Sequence, residues 1–433
     1  MFTMLRLHFD CTGRQCRLSR GRYALRVLRG LMLWAVALLH CMGTAAQSSF
    51  DGSEPLAYCD AQVHRALDLL EGQDFQLIPR NILATDTAPG WQCRRASAEE
   101  WCSGFWPGIL WMDYLETGDT LVRRAAEGYT EALSFLADQP VYDHDLGFLL
   151  WCSYGQGYAA TGNEAYRQLL LRAADTLATL FNPLVGTILS WPREREPNQW
   201  PHNTIIDNMM NLELLFWAAE NGGSPYLYDL CVAHAKTTMQ HQFLPDGTVQ
   251  HVAIYDTLTG DFLSATTHQG HAPTSMWARG QAWAIYGYTM VYRFTGLRVF
   301  LQFAQKVADR YLERLSERGD GEMVPPWDFD APDTEVKDAS AAAIIASALL
   351  ELQAYVDVPE SDTYRQAAVE MLRQLSTADY QSRERHVAFL LHSTGHHPAG
   401  SEIDAAITYA DYYYIEALRR LRHDVYNRLH KNN

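Results

Sequence analysis

The 433-residue chain is 48% hydrophobic and 12% aromatic, which excludes a disordered polymer and provides for a large buried core. Its formal net charge is -16, and residues 47–433 alone, with 28 basic against 50 acidic side chains, carry -22. So negative a surface disfavours nucleic acid and anionic membranes as partners, yet leaves a small anionic ligand open to a local arginine.

The first 46 residues differ from the rest. Arg6, Arg14, Arg17, Arg20, Arg22, Arg26 and Arg29 precede the apolar run Leu31–Leu39, and small residues lead into Thr44-Ala-Ala-Gln47. Basic, apolar and small residues in that order read as a secretory signal peptide, with an apolar run too short for a comfortable bilayer span. Residues 1–46 are therefore expected to direct export to the periplasm or beyond and be removed. The alternatives are an uncleaved membrane anchor or a start codon placed too early. Five cysteines follow: Cys59, Cys93, Cys102, Cys152 and Cys231. Cys93 and Cys102 are close enough in sequence for a short-loop disulfide in an oxidising compartment, and the odd count leaves at least one thiol free. Cys152 and Cys231 sit in helical patterns and read as buried apolar residues.

No linker or low-complexity run divides residues 47–433, so a single domain is expected. One pattern recurs along it. An apolar helical stretch ends near Thr-Gly, a short turn follows, and a Tyr or Phe introduces a second amphipathic helix. The cases are Asp113–Asp119 before Leu121–Ala137, Tyr158–Asn163 before Tyr166–Phe181, Trp217–Gly223 before Tyr226–Gln240 and Tyr292–Gly296 before Val299–Leu315. A degenerate fifth copy is Leu352–Pro359 before Tyr364–Leu375. Glycine accepts the positive φ that commonly follows a helix, and the short turn sends the chain back antiparallel. Ser340–Leu350 is almost unbroken in apolar or small residues, so it is expected in an inner layer, touched on both sides. A helix around Asp60–Gln73 and an aromatic-rich one around Ala410–His423 are expected to form a sixth hairpin. The fold class is thus all-α, an (α/α)6 barrel of six helical hairpins. An open solenoid is the alternative, but it would need polar caps at its ends. The segments 182–201, 245–275 and 324–338 gather Pro, Gly, Trp and Asp, and are expected as loops on one rim, where function commonly resides.

Three stretches carry candidate chemistry. In Asp143-His-Asp-Leu-Gly-Phe148, Asp145 precedes a helix and reads either as its N-cap or as a functional acid beside His144 and Asp143. In Trp200–Leu212, Asp207 interrupts an apolar run at another helix start. Ile206, Met209 and Met210 make a charge there costly, which predicts a raised pKa and a proton to donate near neutral pH. Asn211, four residues on, shares its helix face. In Thr267–His271 and Trp277–Trp283, Arg279 and Trp283 are four apart, a guanidinium and an indole suited to an anionic sugar. His251 stands alone and is ambiguous. No phosphate loop or His-Glu-x-x-His motif occurs, so no metal or cofactor is expected.

Taken together, His144–Phe148, Ile205–Leu212, Thr267–Gly270, Trp277–Trp283, Pro326–Asp330, Asp338–Ala343, Ser401–Asp404 and Tyr409–Tyr414 resemble the unsaturated glucuronyl hydrolases of glycoside hydrolase family 88. The similarity runs from about Trp106 to Leu421. It implies a six-hairpin barrel acting on lyase-generated oligosaccharides that end in a 4,5-unsaturated uronic acid. It further implies Asp207 as catalytic acid/base and Asp145 as the second essential aspartate. His144, His251, Gln269, Arg279 and Trp283 would surround the substrate, with Trp106 and Trp191 as aromatic contacts. The implied reaction is hydration: protonated Asp207 gives its proton to C4, water adds at C5, and the hemiketal opens to expel the remaining sugar. The nearest enzymatic alternative, an unsaturated rhamnogalacturonyl hydrolase, usually carries Trp-Ala-Arg-Gly-Asn-Gly-Trp where this chain has Gln281 and Ala282. The alternative of another class is a non-catalytic glycan-binding helical scaffold. Relatives that receive sulfate place serines and a lysine in a C-terminal loop. His392–Ser401 lacks that lysine, which points to unsulfated fragments, with His396 and His397 as a different contact or as solvent-facing residues.

Overall fold

The structure, a computed structural model, describes residues 50–431. The segment 1–46, read as a signal peptide, lies outside them. Twelve helices carry the fold among the described residues. They are α1 (Ser53–Leu69), α2 (Phe105–Thr117), α3 (Thr120–Glu131), α4, α5 (Glu164–Ala178), α6 (Asn208–Glu220), α7 (Tyr226–His241), α8 (Ala278–Thr295), α9 (Arg298–Glu317), α10 (Ala339–Leu352), α11 (Glu360–Leu375) and α12 (Thr408–Lys431). Helix α4 runs through three pieces, Leu146–Leu150, the π-helical turn Trp151–Gly155 and Gln156–Thr161.

The hairpin turns form as their residues dictate. Gly118 (φ 74°) and Gly162 (φ 65°) end α2 and α4 in the left-handed region. Asp119 and Asn163 then cap α3 and α5 by accepting the N–H of Leu121 and of Ala165. The even-numbered helices pack side by side in the order α2, α4, α6, α8, α10, α12 and back to α2, with the odd-numbered helices outside them. Helix α1 lies on α12 and α2, completing the sixth hairpin. The ring is closed, an (α/α)6 barrel. Every residue from Ala339 to Leu350 is buried, as an inner helix touched on both faces requires.

At the end of the barrel opposite Asp145 and Asp207, partly buried charges tie inner helices together. Arg293 of α8 pairs with Glu213 of α6 and Glu351 of α10, and Arg420 of α12 pairs with Glu351 and Glu416. Because each arginine is shared by two acids, the ordering cost is spread over a network.

The rim is more regular than its composition suggests. A three-stranded antiparallel sheet forms there, with β1 (His202–Ile205) just after the stretch 182–201 read as a loop, and β2 (Val252–Tyr255) and β3 (Phe262–Thr266) inside the stretch 245–275. All four β2 residues are buried, so the alternation of a half-exposed strand is missing from the sequence. A second small sheet joins Leu77–Ile82 to Gln92–Arg95 and Ala406–Ile407. The five cysteines of the described residues are free thiols. The Cys93–Cys102 bridge does not form, because Cys93 points at the Trp91 carbonyl while Cys102 is turned inward against the Arg80 guanidinium.

Candidate active site

Strand register brings the site together. Ile205 pairs with Val252, and the Ile206 N–H donates to the His251 carbonyl at 3.1 Å, so Asp207 leaves β1 just where His251 enters β2. Asp145 arrives at the same place from α4. Both aspartates occupy the N-cap position of their helices, and neither side chain bonds a helix amide. The simple capping reading therefore fails for both. Their carboxyls are buried, at 8% exposure for Asp145 and 7% for Asp207, and face a cavity of about 170 Å³.

Two histidines flank the pair. His144 Nε2 lies 3.3 Å from Asp145 Oδ1, while its Nδ1 faces the Ser190 carbonyl at 3.2 Å. His251 Nε2 lies 3.5 Å from Asp207 Oδ2, and its Nδ1 accepts the backbone N–H groups of His268 and Gln269, both at 3.2 Å. The inner atoms of this constellation, His144 Nε2, His251 Nε2 and Asp207 Oδ2, are buried without a close hydrogen bond. Buried polar atoms seldom stay unpaired, and three around one cavity mark where a polar ligand sits. Asp143 takes another role: its Oδ1 accepts the Asp145 N–H at 3.0 Å, and its Oδ2 pairs with Arg193 at 2.9 Å.

The electrostatics of the two acids diverge, and not as expected. Burial pushes Asp145 well above the carboxylate range, and the charges of Asp143 and Asp207 push it further. Burial acts on Asp207 too. There the imidazole of His251, 3.5 Å away, with His144 and Arg279 beyond it, outweighs burial and holds the carboxyl below its usual value. The raised pKa read from Ile206, Met209 and Met210 is thus corrected. Those neighbours are apolar, but the residue that decides, His251, comes from another strand.

Of the residues expected around a substrate, His144, Trp191, Gln269 and Arg279 line the cavity with the two aspartates, and His251 backs Asp207. Trp191 is wedged against His144, His251 and His268. Arg279 is fully buried, paired with Asp338 at 2.8 Å and bonded to the carbonyls of Thr394 and Gly395. Trp106 and Trp283 do not line the cavity. Trp106 is 1% exposed between Trp91 and Tyr129, and Trp283 is covered by Phe148 and Tyr413. Trp283 does share a helix face with Arg279, but four residues displace it about 6 Å along the axis, into the barrel.

The sequence reading missed Trp101, Arg193 and Glu194 as cavity walls. Arg193 sits in Trp191-Pro-Arg193, where a cation beside an aromatic in a rim segment was the available signal. His396 lines the cavity, its ring 4.7 Å from that of His268, and burial lowers its pKa to about 4. His397 instead stacks on Trp327 at 4.1 Å and pairs with Asp333. Asp143, His144 and Asp145 have ligand atoms within 4.8 Å of one another, the spacing of a metal site. Arg193 already supplies the positive charge a cation would bring to Asp143.

The chain is similar to known proteins of one family. The sequence model described as Glycosyl Hydrolase Family 88 matches residues 83–425. An unsaturated glucuronyl hydrolase of Formosa agariphila is 42% identical over 333 residues, covering 75% of this chain and 81% of the relative. An unsaturated glucuronyl hydrolase of Bacillus sp. GL1 is 34% identical over 335 residues, 75% of this chain and 87% of the relative. The crystal structure of an unsaturated glucuronyl hydrolase specific for heparin superposes with a TM-score of 0.79 at 37% identity, covering 87% of this chain and 98% of that one.

Proposed function

The chain belongs to Glycosyl Hydrolase Family 88, and from that membership we propose that it is an unsaturated glucuronyl hydrolase. It removes the 4,5-unsaturated uronic acid from the non-reducing end of a lyase-generated oligosaccharide by hydrating the C4=C5 bond. One observation carries this reading: Asp145 and Asp207 open on one cavity, unbonded to their helices, in environments that drive their ionisation apart. Hydration of an enol ether needs a proton for C4 and a base for the water that adds at C5, and two differentiated carboxyls supply both. Glycosidases that act at C1 use a carboxyl pair around the anomeric carbon instead.

His144, Trp191, Gln269 and Arg279 hold the sugar, and His251 sets the charge of Asp207. Gln281 speaks against the rhamnogalacturonyl alternative. Its amide is spent inside the fold, accepting from Val249 and donating to Gly247 and Val307.

The preferred fragments are unsulfated, since the only basic groups of His392–Ser401 are the imidazoles of His392, His396 and His397. The order of basic, apolar and small residues in 1–46 supports export. The test is loss of the ultraviolet absorbance of the conjugated uronate on adding purified protein to a panel of unsaturated disaccharides differing in sulfation. No loss with any of them removes the reading, and leaves a glycan-binding scaffold.

A further inference from the structure

We propose that the barrel holds a second binding site, at the end opposite Asp145 and Asp207, and that it takes a primary ammonium group carried on a short apolar stem. The cavity there shares no lining residue with the one at the two aspartates, so the site stands independently of the hydrolase reading.

This second cavity measures about 340 Å³ and is walled by residues of α4, α6, α8 and α12. Three half-buried rings stand together on its wall. Trp151 and Tyr158 of α4 meet Trp217 of α6, at centroid distances of 5.5 and 5.4 Å from the Trp217 ring. The π-helical turn Trp151–Gly155 supplies Trp151, Cys152 and Gly155 to the wall. Such turns are rare within α-helices and occur frequently at functional sites. Gly155 lets the indole lie against the backbone, since a Cβ there would come 2.7 Å from the Trp151 ring.

The charged walls are Glu213 of α6 with Glu416 and Arg420 of α12. Counting Glu351 and Arg293, which pair with them, three carboxylates share two guanidiniums. Both guanidiniums are committed. Arg293 binds Glu213 and Glu351, and Arg420 binds Glu351 at 2.8 Å, the Ser347 carbonyl at 3.0 Å and the Tyr286 hydroxyl at 2.9 Å. Glu416 accepts the hydroxyls of Tyr286 and Ser347. Glu213 is left short: Arg293 takes its Oε1, and Oε2 has no hydrogen-bond partner among the described residues. Burial first, then the charges of Glu351 and Glu416, push its carboxyl above the ordinary value against the pull of Arg293.

Two more acceptors are left over. Gln156 donates its amide nitrogen to the Tyr412 hydroxyl at 3.0 Å and keeps its oxygen free. Tyr413, 2% exposed, lines the cavity with a hydroxyl that makes no hydrogen bond among the described residues. A ligand that completes this set donates hydrogen bonds, brings positive charge and lays carbon against aromatic rings. A primary ammonium does so: it has three N–H donors, and aromatic faces attract its charge. An anion would meet the excess negative charge, and a neutral guest would leave it uncompensated.

The experiment is calorimetric titration of the full chain with n-butylammonium, which needs no turnover. Saturable binding is expected. 1-Butanol, which lacks the charge, and tetramethylammonium, which lacks N–H donors, should bind at least about tenfold more weakly. Glu213→Gln should weaken n-butylammonium about tenfold, and Tyr413→Phe about fivefold. The second variant keeps the ring and its packing, so it decides the matter if the first does not fold. Asp207→Asn should leave the affinity unchanged, which separates this site from the cavity at the aspartates. Absence of saturable binding, equal binding of 1-butanol or tetramethylammonium, unchanged affinity in Tyr413→Phe, or loss of binding in Asp207→Asn overturns the assignment.

Discussion

The side-chain oxygen of Asn211 accepts the backbone N–H of Phe148 at 2.6 Å, which ties the start of the helix bearing Asp145 to the helix that begins after Asp207. The Asn211 amide nitrogen reaches back to the Asp207 carbonyl at 3.4 Å. One side chain thus spans both carboxylate-bearing segments. A Cβ on Gly147 would lie 2.3 Å from Asn211 Oδ1, so glycine is required for the approach.

Asn211→Ala leaves a buried N–H unpaired, at a cost of about 1–3 kcal/mol. It also frees the two acids to shift relative to one another, and a displacement of about 1 Å can lower a rate roughly 10²-fold. Turnover should therefore fall far more than the unfolding free energy. If stability drops while kcat holds, the residue is only a packing element.

Asp207→Asn and Asp145→Asn should each fold and each abolish measurable turnover of an unsaturated disaccharide, because neither carboxyl caps its helix. Asp145→Asn should still bind substrate. A thermal shift with unchanged kcat in either variant would reduce that aspartate to a structural role.

Asp338→Asn removes the charge partner of the fully buried Arg279. Breaking one side of a buried pair costs about 3–5 kcal/mol, since the remaining charge is left uncompensated. Chemical unfolding should show a loss of this size in stability. A change below about 1 kcal/mol would mean that the Thr394 and Gly395 carbonyls suffice for Arg279.

Acid should destabilise the fold through His234. Its Nδ1 accepts the Ile188 N–H at 3.0 Å, and burial lowers its pKa from 6.5 to about 3. Between those values the unfolded chain binds the proton and the folded chain does not. The contribution of neutral His234 is therefore complete above pH 6.5 and is lost as pH falls toward 3. Asp113, raised by burial from 3.8 to about 7, acts with the opposite sign over its own window. The clean readout is the wild type minus His234→Asn, whose difference in unfolding free energy should shrink by a few kcal/mol (on the order of 2–4) from pH 7 to pH 4. A flat difference would show that His234 does not titrate with unfolding.

Thiol titration of the folded chain should find Cys59, Cys102, Cys152 and Cys231 slow to react, all being buried, and Cys93 the most accessible. Added reductant should leave the melting temperature unchanged. A reductant-dependent fall would restore the Cys93–Cys102 bridge.

The hairpins were legible because their determinants are local. Helical period, a Thr-Gly stop and an Asp or Asn cap all lie within a few residues of each turn, as at Gly118–Asp119 and Gly162–Asn163. The placement of Asp145 and Asp207 at helix starts was legible for the same reason. The rim strands were not, because β2 is buried on both faces and shows no alternation.

What the sequence determined by itself was the closed ring of hairpins, the family resemblance and the two aspartates. What only the tertiary structure decided was how those aspartates are charged and which aromatics meet the cavity. An ionisation state is a sum over neighbours in space. Asp207 is governed by His251, 44 positions away, and Asp145 by burial and the nearby charges of Asp143 and of Asp207, 62 positions away. Trp106 and Trp283 fall into the core because depth along the barrel axis depends on how the ring closes, which no single helix face encodes.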